Sequence, residues 1–277
     1  MSKKNSLSHE LRVLTVQMNS TEDRNMNFQQ VEQILENHTL IDLIVLPEVF
    51  NFRSALGFKK AAAEPLTGPT VTWLKETAQK QMVFLIAGSI TELAEDGRIY
   101  NTTVVLNPAG EIIKTYRKMH LFDVTLADKS IQESAHFSAG EMPNLVEIQG
   151  WQIGLTICYD LRFPELFRHY FKHHADMIVI PSSFTYETGQ KHWRVLCQAR
   201  AIENQCYIIA PNQCGVGAGQ VKTYGHSLVI DPDGNILVEA NDNEVAGFVT
   251  ILSKAKIDEI RSKIPVRNHI KQWESND

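Results

Sequence analysis

The chain holds no apolar run approaching the ~20 residues a membrane-spanning helix needs, and its polar start, MSKKNSLSHE, leads into no hydrophobic signal region. A cytoplasmic protein with no membrane partner is the expectation. Cysteine is scarce too: Cys158, Cys197, Cys206 and Cys214 are the only four in 277 residues, irregularly spaced and without a CxxC pair. That excludes a disulfide framework and leaves four reduced thiols. Neither sign of charge dominates, since 27 basic residues face 32 acidic ones for a net charge of -5. The basic residues form no block interleaved with aromatics, so a nucleic-acid partner is not expected.

Several catalytic signatures are missing as well. There is no HExxH to hold a metal, no GxSxG elbow, no GxxxxGK[ST] loop and no GxGxxG opening a helix. No metal and no cofactor are expected. The glycines of Gly215–Gly219 run into strand-like sequence and not a helix, which argues against a phosphate cradle and leaves the role of loop 215–223 open. None of the ten histidines is marked out by its spacing as the partner of a thiol.

What is present is a repeated β-then-α rhythm. Leu11–Gln17 alternates as a strand does, and Asn25–Asn37 carries Phe28, Val31, Ile34 and Leu35 at helical spacing. Asp42–Leu46 reads as a strand buried on both faces that delivers Glu48 at its end. A helix opens at Gly68-Pro69, and Met82–Ile90 reads as one further apolar strand. Asn101–Leu106 and Ile112–Tyr116 flank the turn Asn107–Gly110, and Lys118 follows the second strand. From Lys118 to Glu141 periodicity is lost, as in a loop over a site.

The second half repeats the pattern. Strands are expected at Leu145–Ile148, Gln152–Ile157, Met177–Ile180, Tyr207–Ala210, Ser227–Ile230, Ile236–Glu239 and Gly247–Ile251, with helices at Pro164–Phe171 and from Gly189 to Asn204. The reading is an α/β fold: one domain over residues 11–265 with internal pseudo-symmetry around two sheets. A polar arm over 1–10 precedes it, and a tail over 266–277 follows that packs on a partner or frays.

Three residues stand out within this frame. Cys158 ends the strand GLTIC just ahead of a helix, where the dipole and free N–H groups lower a thiol's pKa and can bind an oxyanion. An inert buried cysteine is the competing reading. Glu48 is either a general base or a carboxylate capping the next turn, and Lys118 either stabilises an oxyanion or is simply solvated.

Taken together, LIVLPEVF, YRKMHLFDV and GLTICYDLRFPELFR, in that order, resemble the three catalytic motifs of the nitrilase (carbon–nitrogen hydrolase) superfamily. PSSFTYETGQKHW, ARAIENQCYIIAPNQCG and YGHSLVIDPDGN are similar to its amidase branch, which includes deaminated-glutathione amidase and ω-amidase. The resemblance implies a four-layer αββα sandwich that pairs as a homodimer or higher homo-oligomer. It implies Cys158 as nucleophile, Glu48 as general base, Lys118 as oxyanion cation, Glu133 as the second glutamate and the Tyr159 backbone N–H as oxyanion donor. The implied reaction takes a small carboxamide to carboxylate and ammonia through a thioester, with deaminated glutathione as substrate, or 2-oxoglutaramate as the alternative. A catalytically silent binding subunit of the same fold is the reading from another class. Because both substrates carry an anionic end, Arg162, Phe184, Thr185 and His192 are candidates for the substrate pocket.

Overall fold

The structure, a computed structural model, describes residues 10–54, 62–126 and 129–271. All but the last residue of the expected N-terminal arm, and residues 272–277 of the tail, lie outside the described residues.

Alternation explains how the layers form. In β1 (Glu10–Gln17), Leu11 and Val13 join a core between two sheets, whereas Leu14 and Val16 join a second core under helices. In β2 (Leu43–Val45), Leu43 and Val45 face the first core and Ile44 the second. The helices α1 (Arg24–Glu36) and α2 (Pro69–Gln81) supply the outer side of that second core with Val31, Leu35, Val71 and Leu74. Asp23 caps α1 by accepting from the N–H groups of Asn25 and Met26, and Pro69 starts α2. Each such buried aliphatic side chain contributes about 1.5–3 kcal/mol.

The first sheet continues with β3 (Phe84–Ile86), β4 (Ile90–Leu93), β5 (Ile99–Leu106) and β6 (Ile112–Arg117). β1, β2 and β3 are parallel, β5 is antiparallel to β3, and β6 pairs with β5 across the expected hairpin turn. A small separate hairpin, β7 (Asp123–Leu126) and β8 (Lys129–Gln132), then occupies the stretch read as an irregular loop. Met82–Ile90 is not one strand: Met82 (φ 56°) ends α2, and Gly88 (φ 52°) breaks the chain between β3 and β4. A Cβ at Gly88 would lie 1.9 Å from the Pro47 carbonyl oxygen, so this turn is packed against the residue preceding Glu48.

The second sheet repeats the plan. β9 (Asn144–Ile148) is antiparallel to β10 (Trp151–Leu155), which runs parallel to β11 (Met177–Val179) and β12 (Tyr207–Ala210), with α3 (Pro164–Lys172) and α4 (Tyr186–Asn204) as the crossovers. β13 (Leu228–Ile230) and β14 (Ile236–Glu239) close the sheet. β15 (Ala246–Ser253) returns to the first sheet antiparallel to β1, as β9 stands to β10. Helices α1 and α2 outside, two sheets stacked inside, and α3 and α4 on the far side make the αββα sandwich. α4 begins three residues before its expected start at Gly189.

After α5 (Lys254–Lys263), Val266–His269 forms a short helix, α6, and Arg267 donates to the Phe171 carbonyl at the end of α3. This segment docks on its own chain. No helix among the described residues is long and apolar enough to cross a membrane.

Candidate active site

In a sandwich with parallel central strands, side chains gather beyond the strands' carboxyl ends. Glu48 lies past the end of β2, Cys158 past β10, Ser183 past β11, and Lys118 directly follows β6. Glu133 opens the 3-10 turn Glu133–Ala135 after β8. Residues far apart in sequence thereby meet.

Lys118 is the hub. Its Nζ lies 3.0 Å from Glu48 Oε1, and 3.0 and 2.9 Å from the two oxygens of Glu133. At 2% exposure the ammonium has effectively no water to solvate it. Burial works against its charge, but Glu133, Glu48 and Cys158 outweigh burial and hold its pKa well above the ordinary lysine value. Asn101, from β5, donates to Glu48 Oε1 at 2.9 Å and to Glu133 Oε1 at 3.2 Å, so one amide group ties the two carboxylates together. Glu48 Oε2 accepts from the Ser183 N–H at 2.8 Å, and Glu133 Oε2 from the Phe122 N–H at 2.7 Å.

Cys158 sits on a sharp elbow. Its φ of 48° is left-handed, a conformation that a non-glycine residue adopts only when its surroundings impose it. Its N–H donates to the Pro181 carbonyl at 2.9 Å, and its thiol hydrogen-bonds with Glu48. Val49, next to Glu48, is also left-handed at φ 50°. The sequence suggested a lowered thiol pKa, but the structure gives the opposite sign. Burial, together with the Glu48 carboxylate, pushes the Cys158 thiol well up, against the opposing pull of Lys118 and the Ser183 N–H. The resting group is a thiol that needs a base to take its proton. The Tyr159 N–H follows at the start of the 3-10 turn Cys158–Arg162, where no intrahelical carbonyl can reach it.

The elbow is clamped by Asp160, which is fully buried. Its Oδ2 accepts from the Ile157 N–H at 2.8 Å and the Tyr116 hydroxyl at 2.7 Å. Oδ1 meets the His120 N–H at 3.1 Å and its Nδ1 at 2.7 Å. One carboxylate thus fastens the segment carrying Cys158 to the segment carrying Lys118. Asp160→Ala is expected to cost about 3 kcal/mol in denaturant unfolding, because the partner N–H groups are left buried and unpaired. A loss under about 1 kcal/mol would show that the clamp is dispensable.

The four pocket candidates separate. Arg162 Nη1 lies 3.2 Å from His192 Nδ1, and its guanidinium stands 5.2 Å over the Phe184 ring and 5.8 Å over the Tyr159 ring. Burial and Arg162 lower the His192 pKa, leaving a neutral ring able to accept from the guanidinium. Phe184 is buried against Trp193, with ring centroids 5.0 Å apart. Thr185 directs its hydroxyl to Thr188 Oγ1 at 2.7 Å, within the first turn of α4.

Asn101, Asp160 and Ser183 were not picked out from the sequence. The signal available was a polar residue interrupting an apolar strand, as Asn101 does in IYNTTVVL, but nothing local says what it meets. Among the described residues no group of three His, Cys, Asp or Glu side chains is arranged to hold a metal ion. The arrangement offers a nucleophile, a carboxylate to take its proton, and a cation and a free N–H where negative charge would develop.

Comparison with known proteins places the chain in a family. A deaminated glutathione amidase of Synechocystis is 36% identical over 261 residues, covering 92% of this chain and 96% of the relative. An omega-amidase of Danio rerio is 36% identical over 225 residues, 81% of this chain and 80% of the relative. The crystal structure of XC1258 from Xanthomonas campestris, a CN-hydrolase superfamily protein with an arsenic adduct in its active site, superposes with a TM-score of 0.85 at 30% identity, covering 96% of this chain and 99% of that one. The family model for carbon–nitrogen hydrolases matches residues 12–262, and with a buried Cys–Glu–Lys cluster at the expected end of an αββα sandwich, this chain belongs to the carbon–nitrogen hydrolase family.

Proposed function

We propose that the protein hydrolyses a small amide whose acyl group ends in a carboxylate, with Cys158 as nucleophile. Hydrolysis of carbon–nitrogen bonds is the family's chemistry, and the Synechocystis and Danio rerio relatives are amidases. The observation that carries the residue roles is Lys118 Nζ held 3.0 Å from Glu48 and 2.9 Å from Glu133, beside a buried thiol bonded to Glu48.

Glu48 takes the thiol proton as Cys158 Sγ attacks the amide carbonyl carbon. The carbonyl oxygen becomes an oxyanion between Lys118 Nζ and the Tyr159 N–H. The intermediate collapses by breaking the C–N bond, and Glu48 returns its proton to the departing nitrogen. Water, deprotonated by Glu48, then attacks the thioester and releases the acid, while the proton returns to Cys158. Glu133 anchors Lys118 and orients the amide. The thiol's proton leaves with the departing nitrogen and one from water replaces it on Cys158, which fits a site whose resting thiol is neutral.

Deaminated glutathione is the favoured substrate, after the Synechocystis relative, and 2-oxoglutaramate the second, after the omega-amidase of Danio rerio. Ammonia is the leaving group for the second only. Deaminated glutathione is a secondary amide that releases an amine, so the product common to both is the oxo acid. The reading is completed by a homodimer, for which exposed Val195 and Ile202 on α4 and Ile251 on β15 offer apolar surface, and by a cytoplasmic location, in keeping with free thiols at Cys158, Cys197, Cys206 and Cys214.

The test measures oxo-acid release from the two amides side by side, with Cys158→Ala as the blank, and intact mass during turnover. An acyl adduct on Cys158 and faster turnover of deaminated glutathione are expected. Faster turnover of 2-oxoglutaramate would transfer the assignment to the second substrate. No turnover of either and no adduct would sink the amidase reading.

A further inference from the structure

Arg53 carries a charge that the rest of the fold leaves unanswered. It lies five residues beyond Glu48 and is 4% exposed. Among the described residues its Nη1 reaches only neutral acceptors: Gln213 Oε1 at 3.2 Å, the Cys214 carbonyl at 3.3 Å and Thr223 Oγ1 at 3.4 Å. Its Nη2 is buried with no hydrogen-bond partner. No carboxylate pairs with it among the described residues, and the titratable group beside it, the Cys214 thiol, has its pKa raised to about 11 and is neutral. Burial lowers its pKa to about 10, which still leaves it cationic at neutral pH. A buried cation without a counter-ion is costly, and a fold that keeps one leaves a place for an anion.

Position ties this place to the reaction. The Gln213 side chain that accepts from Arg53 also donates to the Glu48 carbonyl at 2.9 Å. Thr223, the other side-chain acceptor, bridges Thr185, two residues past the Ser183 N–H that holds Glu48 Oε2. The guanidinium therefore stands one side chain to the side of the base, under the loop 214–223. The loop closes on it at Gly217, where a Cβ would come within 2.2 Å of Nη2, so a larger residue there would displace the guanidinium. Arg162, the arginine expected to face the substrate, already has His192 and two aromatic rings as neighbours.

We infer that Arg53, roofed by Gly217, binds the carboxylate at the far end of the substrate's acyl group and so selects anionic over neutral amides. The inference rests on the amidase reading above and adds the residue that sets its specificity. Deaminated glutathione and 2-oxoglutaramate present the same oxo-acyl group ending in a carboxylate, so one anion site serves either. Loop 215–223, whose role the sequence left open, gains one as the cover of that site.

The experiment compares succinamate with butyramide, two amides of equal chain length with and without the carboxylate, in wild type, Arg53→Gln, Arg53→Lys and Arg162→Gln. Succinate binding to Cys158→Ala protein, with and without Arg53→Gln, is measured by calorimetry, which needs no turnover. Expected is a drop in kcat/KM for succinamate of about 10- to 100-fold in Arg53→Gln, mostly through KM, the size of one charge-assisted pair. Butyramide should change less than about twofold, Arg53→Lys should recover part of the loss, and Arg53→Gln should abolish succinate binding. An equal loss on both amides would make Arg53 a structural clamp and overturn the inference, as would the selective loss appearing in Arg162→Gln instead. Succinate that fails to bind the Cys158→Ala protein would overturn it too. If succinate binds through Arg53 and no amide is hydrolysed, the anion site stands and the amidase reading falls.

Discussion

Glu48→Gln is expected to abolish turnover and, at the same time, to make Cys158 more reactive toward iodoacetamide at neutral pH. The loss should be on the order of 1,000-fold, because proton transfer by a placed group is worth about 100- to 10,000-fold and here one group serves both half-reactions. The gain in alkylation follows from the sign of the thiol's shift. Burial and the Glu48 carboxylate hold the proton on Cys158, while Lys118 and the Ser183 N–H favour the thiolate. Removing the carboxylate leaves burial opposed by the two groups that remain, so the thiol pKa falls toward its ordinary value and the thiolate fraction rises. A variant that had merely unfolded the site would not show faster, single-site labelling together with a normal melt. Some stability is lost, about 1–3 kcal/mol, because one Glu48 oxygen becomes an amide NH2 facing either the Ser183 N–H or the Lys118 and Asn101 donors. Turnover near wild type would remove Glu48 from the mechanism. Slower alkylation at unchanged folding would mean that its carboxylate does not hold the thiol proton.

This sign also marks where the sequence stops being informative. Glu48, Lys118 and Cys158 each follow a strand-like run, so their placement at strand ends was legible from period-2 and apolar patterning alone. What Cys158 feels was not. The sequence shows its neighbours along the chain, a turn and a helix start that favour the thiolate, but not the carboxylate brought across from β2 or the burial beneath the second sheet. Asn101 and Asp160 were missed for the same reason. Each looks locally like a misplaced polar residue, and its purpose exists only once β5 joins the sheet of β2, one strand away, and the Cys158 turn meets the Lys118 segment. The break at Gly88 was read through because Met82–Ile90 is apolar on both sides of it, and only the approach of Pro47 explains the turn. The Lys118–Glu141 stretch lost its period because its hairpin is short and exposed, which leaves no buried face to write an alternation. Arg53 gave no signal at all, since one arginine in the mixed stretch VFNFRSALGF is ordinary until it is seen to be buried.

Lys118→Met should be the most damaging single change, and its cost should depend on pH in a defined direction. In wild type the raised lysine pKa means that the native state binds this proton more tightly than the unfolded chain does. The stabilisation is fully present below the ordinary lysine value and is lost only as pH rises through the higher folded value. At neutral pH the charge is therefore fixed, and it neutralises part of the Glu48 and Glu133 pair. Methionine fills the same space without the charge. Buried Glu48 and partly buried Glu133 then remain, bridged by Asn101, with nothing to balance them. Breaking a buried ion pair from one side costs about 3–5 kcal/mol. That cost should be largest where both carboxylates are charged and should shrink as the solution is acidified toward the ordinary glutamate value of about 4.3, where protonation removes the repulsion. Turnover should fall by at least about 1,000-fold, since the oxyanion loses its cation and the base loses the group that holds it. The check is a set of thermal melts of Lys118→Met and wild type from pH 5 to pH 8. The gap in Tm should widen with rising pH, and adding Glu133→Gln to Lys118→Met should recover part of the stability but none of the activity. A gap that stays constant across that range would show that Lys118 supports the site by packing and not by charge, and the oxyanion role would have to pass to the Tyr159 N–H alone.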